Sequence, residues 1–123
     1  MIRGIGVDSI EIARVAAALA RNPGLMKRLY TPEEIAQAPP GPKGSSRLAA
    51  VFAGKEAVFK ALGTGLAGHS WRQVQILHQP GGAPRVQLRG RAAQTARDKG
   101  IERIHISLTH DQQRALAFCI AEG

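Results

Sequence analysis

The window from Leu48 to Leu62 (LAAVFAGKEAVFKAL) constrains this chain more than any other segment. It is apolar almost all round a helical wheel, and a helix of that kind is stable only where the rest of the fold encloses it. In 123 residues there is room for one hydrophobic core and not two, so a single domain over 1–123 is expected around this helix. The helix is expected from about Arg47 to Leu62, with Gly63 as its C-terminal stop.

The flanking segments supply what encloses it. Residues 2–7 read as a short strand, and Asp8 or Ser9 as the cap of a helix on which Ile12, Val15, Ala16 and Leu19 share one face. That helix ends near Asn22-Pro23-Gly24 and carries Arg14 and Arg21 together on another face. Thr31, Pro32 and Glu34 have the spacing that opens a second helix. Residues 38–46, rich in Pro, Gly and Ser, read as a loop. Strands are expected over 71–78, 85–89, 104–109 and 116–120, with a short helix over 92–99. The order β-α-α-α-β-β-α-β-β predicts an α+β fold: a small antiparallel sheet with helices packed on one face.

No apolar run reaches the roughly 20 residues that would cross a bilayer. The N-terminal MIRGIGVDSI lacks the long apolar region of a secretory signal, so a cytoplasmic location and no membrane partner are expected. Cys119 has no second cysteine to pair with and reads as a small apolar strand residue. Seventeen Lys and Arg against nine Asp and Glu give a net charge of +8, which attracts polyanions. Nucleic acid, an acidic protein and a phosphate-rich cofactor all carry such charge. The 4% aromatic content and the absence of any zinc-finger or RNP-like spacing argue against nucleic acid.

The chemistry concentrates on the three charges of the apolar window. Lys55 falls in the middle of the stripe of Leu48, Val51, Phe52, Phe59 and Leu62, where an unpaired charge is costly. Glu56 and Lys60, one turn apart, share the neighbouring face, as a plain salt bridge or as part of a site. Asp8 is either a helix cap or a carboxylate that joins Glu56 in holding a hard cation. The Gly63-Thr64-Gly65 turn that follows the helix lets backbone approach a ligand closely.

Residues 4–15 (GIGVDSIEIARV) and 52–65 (FAGKEAVFKALGTG) resemble the two signature motifs of the holo-acyl-carrier-protein synthases, the short type of phosphopantetheinyl transferase. The likeness extends through Ser70-Trp71, the Gly82-Ala83-Pro84 turn and the segment from Ile104 to Asp111. Ala83 stands where family members commonly carry a basic residue.

The resemblance implies transfer of the phosphopantetheine arm of coenzyme A to a serine of apo acyl carrier protein, in support of fatty acid biosynthesis. Adenosine 3',5'-bisphosphate is released. By the same resemblance Asp8 and Glu56 hold Mg2+ and, with Lys60, carry the catalysis. Lys55 and Lys60 neutralise phosphate charge, while Gly63, Thr64, Gly65, Pro84, Thr109 and His110 contact coenzyme A. Arg14 and Arg21 dock the acidic carrier protein, and the assembly is a homotrimer with sites between subunits. The serine proton goes to Glu56, to a water on the cation, or to Asp8 through water; the residues leave that choice open.

Overall fold

The first and last strands of the chain lie side by side, and the apolar helix crosses the sheet they form. The computed structural model describes Met1–Gly123. In chain order the elements are β1 (Ile2–Glu11), α1 (Ile12–Arg21), α2 (Leu25–Leu29), α3 (Pro32–Gln37) and α4 (Pro42–Leu62). A 3-10 turn at Trp71–Gln73 then leads to β2 (Val74–His78), β3 (Pro84–Leu88), α5 (Gly90–Asp98), β4 (Arg103–His110) and β5 (Arg114–Glu122). An antiparallel sheet has the order β1-β5-β4, and β2 and β3 form a separate hairpin. This is the expected α+β architecture. No helix is long and apolar enough to cross a membrane.

The alternation of each strand decides which face meets α4. Gly4, Gly6 and Asp8 of β1 pair with Ala121, Cys119 and Ala117 of β5, and all three of those β5 residues are buried. A Cβ at Gly4 would collide with the Ala61 carbonyl, and one at Gly6 with the Ala57 carbonyl. Glycine is therefore required there by the close approach of helix to sheet. The large β5 side chains point the other way. Ile5, Val7, Leu116 and Phe118 form an exposed apolar strip, with Phe118 42% accessible opposite Val7 at 50%. On its other side α4 packs against Tyr30, Val74 and Ile76, and the Trp71 ring lies against Phe52 and Phe59 at 4.8 and 5.8 Å.

Four local expectations change. β1 continues through Asp8 to Glu11 because β5 supplies partners for Ser9, Ile10 and Glu11, so α1 starts at Ile12 and Asp8 caps nothing. α4 begins at Pro42 rather than Arg47, the left-handed Gly41 (φ 76°) turning the chain into a proline at the first helical position. α2 is an additional helix of five residues, and β2 starts at Val74 because Trp71–Gln73 coils into its single turn. The Thr31 cap is as expected: its hydroxyl accepts from Glu34 N at 3.2 Å, and the Glu34 carboxylate accepts from Thr31 N at 2.8 Å.

Candidate active site

Asp8 sits on the helix-facing side of β1, in mid-strand, and its side chain is only 14% exposed. Glu56 of α4 lines the same groove as Asp8 and lies near enough for the Asp8 charge to act on it. Lys60, one turn further along α4, spans to β1 and donates to Asp8 Oδ1 at 3.3 Å and to the Val7 carbonyl at 3.0 Å. The lysine thus bridges helix to strand instead of closing a local pair with Glu56. Burial, and then the negative charge of Asp8, push the Glu56 carboxyl above the ordinary carboxylate range, while Lys60 opposes them. Two carboxylates held this close, and only partly hydrated, form a donor set for a hard cation. No third acidic, histidine or cysteine side chain joins them. That suits magnesium, which takes one or two carboxylates and leaves its other positions to water and phosphate.

The carboxylate pair opens into a groove of about 430 Å³ between α1, α4 and β1, lined also by Arg14, Phe52, Leu25 and Arg114. Arg14 therefore stands on the rim of the groove that holds Asp8 and Glu56. Arg21, two helical turns on, is exposed at the far end of α1.

Lys55 is placed elsewhere, and its expected phosphate contact does not fit the structure. Its side chain is fully buried, with Nζ 2.8 Å from Glu34 Oε1 and donating to the Val74 and Trp71 carbonyls at 2.6 and 3.0 Å. An ammonium has three N–H donors, and all three are committed inside the protein. Burial pulls this ammonium below its ordinary range, and Glu34 opposes that pull.

At Gly63 the chain turns left-handed (φ 75°), and the amides of Gly63 and Thr64 both return to the Phe59 carbonyl to close α4. The Gly63–Gly65 turn thus begins within one turn of Lys60, Gly65 being left-handed too (φ 59°). Thr109 and His110, at the end of β4, are not beside the carboxylates. His110 lines a second, larger groove of about 830 Å³, together with Lys43, Ser46 and Arg47 from the first turns of α4 and His78. Pro84 adjoins it as the strand partner of His78. Burial, and then the Arg47 charge, hold His78 below the ordinary histidine range, so the positive charge here comes from Lys43 and Arg47. The buried His78 Nδ1 has no partner within the chain. Glu34, Lys43, Ser46, Arg47 and His78 were not among the expected site residues. The Gly41-Pro42 pair is the one signal that could have extended the helix back to include Lys43 and Ser46.

The model of the 4'-phosphopantetheinyl transferase superfamily matches residues 4–121. The holo-[acyl-carrier-protein] synthases of Clavibacter sepedonicus and Desulforudis audaxviator are 44% and 46% identical to the chain; each alignment covers 100% of it and, respectively, 98% and 95% of the relative. Among solved structures, the holo-[acyl-carrier-protein] synthase of Neisseria meningitidis superposes with a TM-score of 0.88 at 32% identity, covering 100% of both chains. The Helicobacter pylori enzyme, solved in complex with coenzyme A, superposes with a TM-score of 0.84 at 29% identity, over 96% of this chain and 99% of that one. Motifs, fold and full-length likeness agree that this chain belongs to the holo-acyl-carrier-protein synthases of the phosphopantetheinyl transferase superfamily.

Proposed function

We propose that this chain moves the phosphopantetheine arm of coenzyme A onto a serine of apo acyl carrier protein, releasing adenosine 3',5'-bisphosphate. The observation that carries the reading is the juxtaposition of Asp8, Glu56 and Lys60 at the mouth of a groove rimmed by Arg14. In the reaction the serine oxygen forms a bond to the β-phosphorus of the pyrophosphate, and the bond from that phosphorus to the oxygen shared with the α-phosphate breaks. Such a displacement depends on positioning and on charge stabilisation.

Asp8 and Glu56 are the residues that would hold Mg2+, which supplies positive charge at the pyrophosphate oxygens. Lys60 adds a second positive charge on the same side, with its Nζ steadied by the Val7 carbonyl. The serine proton has Glu56 or Asp8, directly or through water, as its acceptor at this site. Arg14, with Arg21 beyond it, presents positive charge to an acidic carrier protein arriving at the groove. The basic groove at His110, Lys43 and Arg47 fits the phosphate of the adenosine half, and the unpartnered His78 Nδ1 offers it a further polar contact.

That groove and the carboxylate pair share no lining residue, which supports a site shared between copies of the chain. The reading includes a homotrimer, and the exposed apolar strip of Ile5, Val7, Leu116 and Phe118 offers it a surface to cover. A cytoplasmic setting goes with this reading.

The direct test incubates the protein with an apo carrier protein, coenzyme A and Mg2+, and weighs the carrier by mass spectrometry. Gain of one phosphopantetheine per carrier is the expected result; an unmodified carrier under every divalent cation tried would overturn the reading. Light scattering at working concentration should give three times the chain mass, and a fully active monomer would remove the shared-site arrangement.

A further inference from the structure

α4 is held by different means on its two sides. Toward the sheet its Ala57 and Ala61 carbonyls lie on Gly6 and Gly4, with Ala117, Cys119 and Ala121 alongside. A surface of glycine and alanine has few ridges to seat in grooves, so it sets how near the helix lies better than how it is turned about its axis. Rotation matters here. Side-chain tips stand about 5–6 Å from a helix axis, so a turn of about 10° moves one by about 1 Å. A misplacement of about 1 Å in a reacting group can cost on the order of a hundredfold in rate.

On the side away from the sheet stands Lys55, about 200° round the helix from Ala57 and about 100° from Glu56. Its three hydrogen bonds diverge to Glu34, Trp71 and Val74, three points outside the helix. Glu34 is itself fixed at both oxygens: Oε1 accepts from Thr31 N at 2.8 Å and Oε2 from Ile76 N at 2.7 Å. The pair therefore ties α4 to α3, to the Trp71 turn and to β2 in one directional knot, with the Tyr30 ring beneath Lys55. Stability alone does not explain a buried ion pair, because a well-packed apolar pair of like volume commonly serves a fold as well or better. Together with the Lys60 bond to the Val7 carbonyl, these directional contacts hold the helix at a single rotation, which the smooth glycine and alanine surface does not set.

We infer that Lys55 and Glu34 are positioning residues: their buried ion pair fixes the rotation of α4 and so sets where the Glu56 carboxylate stands against Asp8. The inference rests on the transferase reading for its rate effect, and on packing alone for the rotation.

Two readouts separate these. The first compares Lys55→Met with Ile101→Ala, a core truncation between α5 and β4 that lowers stability without touching the pair, each assayed well below its unfolding midpoint. Lys55→Met should lose about tenfold or more in kcat per folded molecule with KM for coenzyme A within about twofold, while Ile101→Ala keeps kcat. The second readout needs no activity: nuclear Overhauser contacts from the Gly4 and Gly6 α protons to Ala61 and Ala57 should change in Lys55→Met and persist in Ile101→Ala. If the wild-type protein proves inactive yet those contacts shift, the functional reading fails and the anchor stands. Unchanged contacts overturn the anchor whatever kcat does, and so does a wild-type kcat in folded Lys55→Met. Should Lys55→Met not fold, Glu34→Gln, which keeps shape and one acceptor, takes its place. Failure of both to fold would show a pair that holds the fold rather than a rotation, and would overturn the inference as well.

Discussion

Lys55 and Lys60 lie five residues apart on α4, in one motif, and the structure gives them opposite surroundings. Lys55 is sealed in, with three protein acceptors. The Lys60 side chain is 56% exposed and leans over the strand to Asp8. One lysine is internal architecture; the other is a positive charge open to solvent, which the proposed reaction would use. Shared motif membership therefore does not give shared chemistry; the depth at which the helix face is buried does.

The comparison breaks most visibly through stability. Lys55→Met leaves the Glu34 charge buried without its partner, and denaturant unfolding should show a loss of about 3–5 kcal/mol. Lys60→Met, by contrast, removes a charge that is more than half open to solvent and should cost about 1 kcal/mol or less. A loss below about 1 kcal/mol in Lys55→Met would mean that the buried pair is not formed.

Activity should respond the other way. Lys60→Met is expected to lower kcat about a hundredfold in a folded protein, the scale seen when one electrostatic stabiliser of a transition state is removed. Steady-state kinetics that left kcat within about twofold of wild type would strike Lys60 from the site. Arg14→Glu, on the rim of the same groove, should raise KM for the carrier protein about tenfold and leave KM for coenzyme A nearly unchanged. Equal effects on both constants would argue for general damage to the groove.

The smallest effect concerns the carboxylate pair without its cation. Glu56 is held above its ordinary value of 4.5, so the folded protein binds its proton more tightly than the unfolded chain does. Stability from this source is present at low pH and is lost as pH rises through the folded value. In chelator, Glu56→Gln should therefore gain on wild type in thermal midpoint between about pH 4 and about pH 7. A difference that stayed constant over that range would show that neither burial nor the Asp8 charge holds Glu56 above its ordinary value.

The signature residues were legible because they carry unusual charge in an apolar window: Glu56 and Lys60 are conspicuous on that helix, and Asp8 lies in the other motif. What Lys55 does was not legible. Its partner Glu34 is 21 residues upstream and looked fully explained as half of a capping box, which it also is. The run of β1 past Asp8 depends on β5 more than a hundred residues later, and no local signal announces it. The Pro- and Gly-rich composition of 38–46 hid the true start of α4, and with it the place of Lys43 and Ser46 beside Arg47 in the second groove. For β5 the alternation of Leu116, Phe118 and Ile120 was clear in the sequence, but which way it faced was not. The small residues between them turn inward because the glycines of β1 bring α4 so close.

The account turns on Asp8 and Glu56 acting together at one cation. The most direct measurement is the turnover of Asp8→Asn with apo carrier protein, coenzyme A and Mg2+, beside its circular dichroism. Asn keeps the size of Asp and sits in mid-strand with the same pairing to Ala117, so the fold should persist. Turnover should fall by at least about a hundredfold, with the remaining activity less responsive to Mg2+ concentration. Near-normal turnover with an unchanged Mg2+ dependence would contradict the carboxylate pair as the centre of the site.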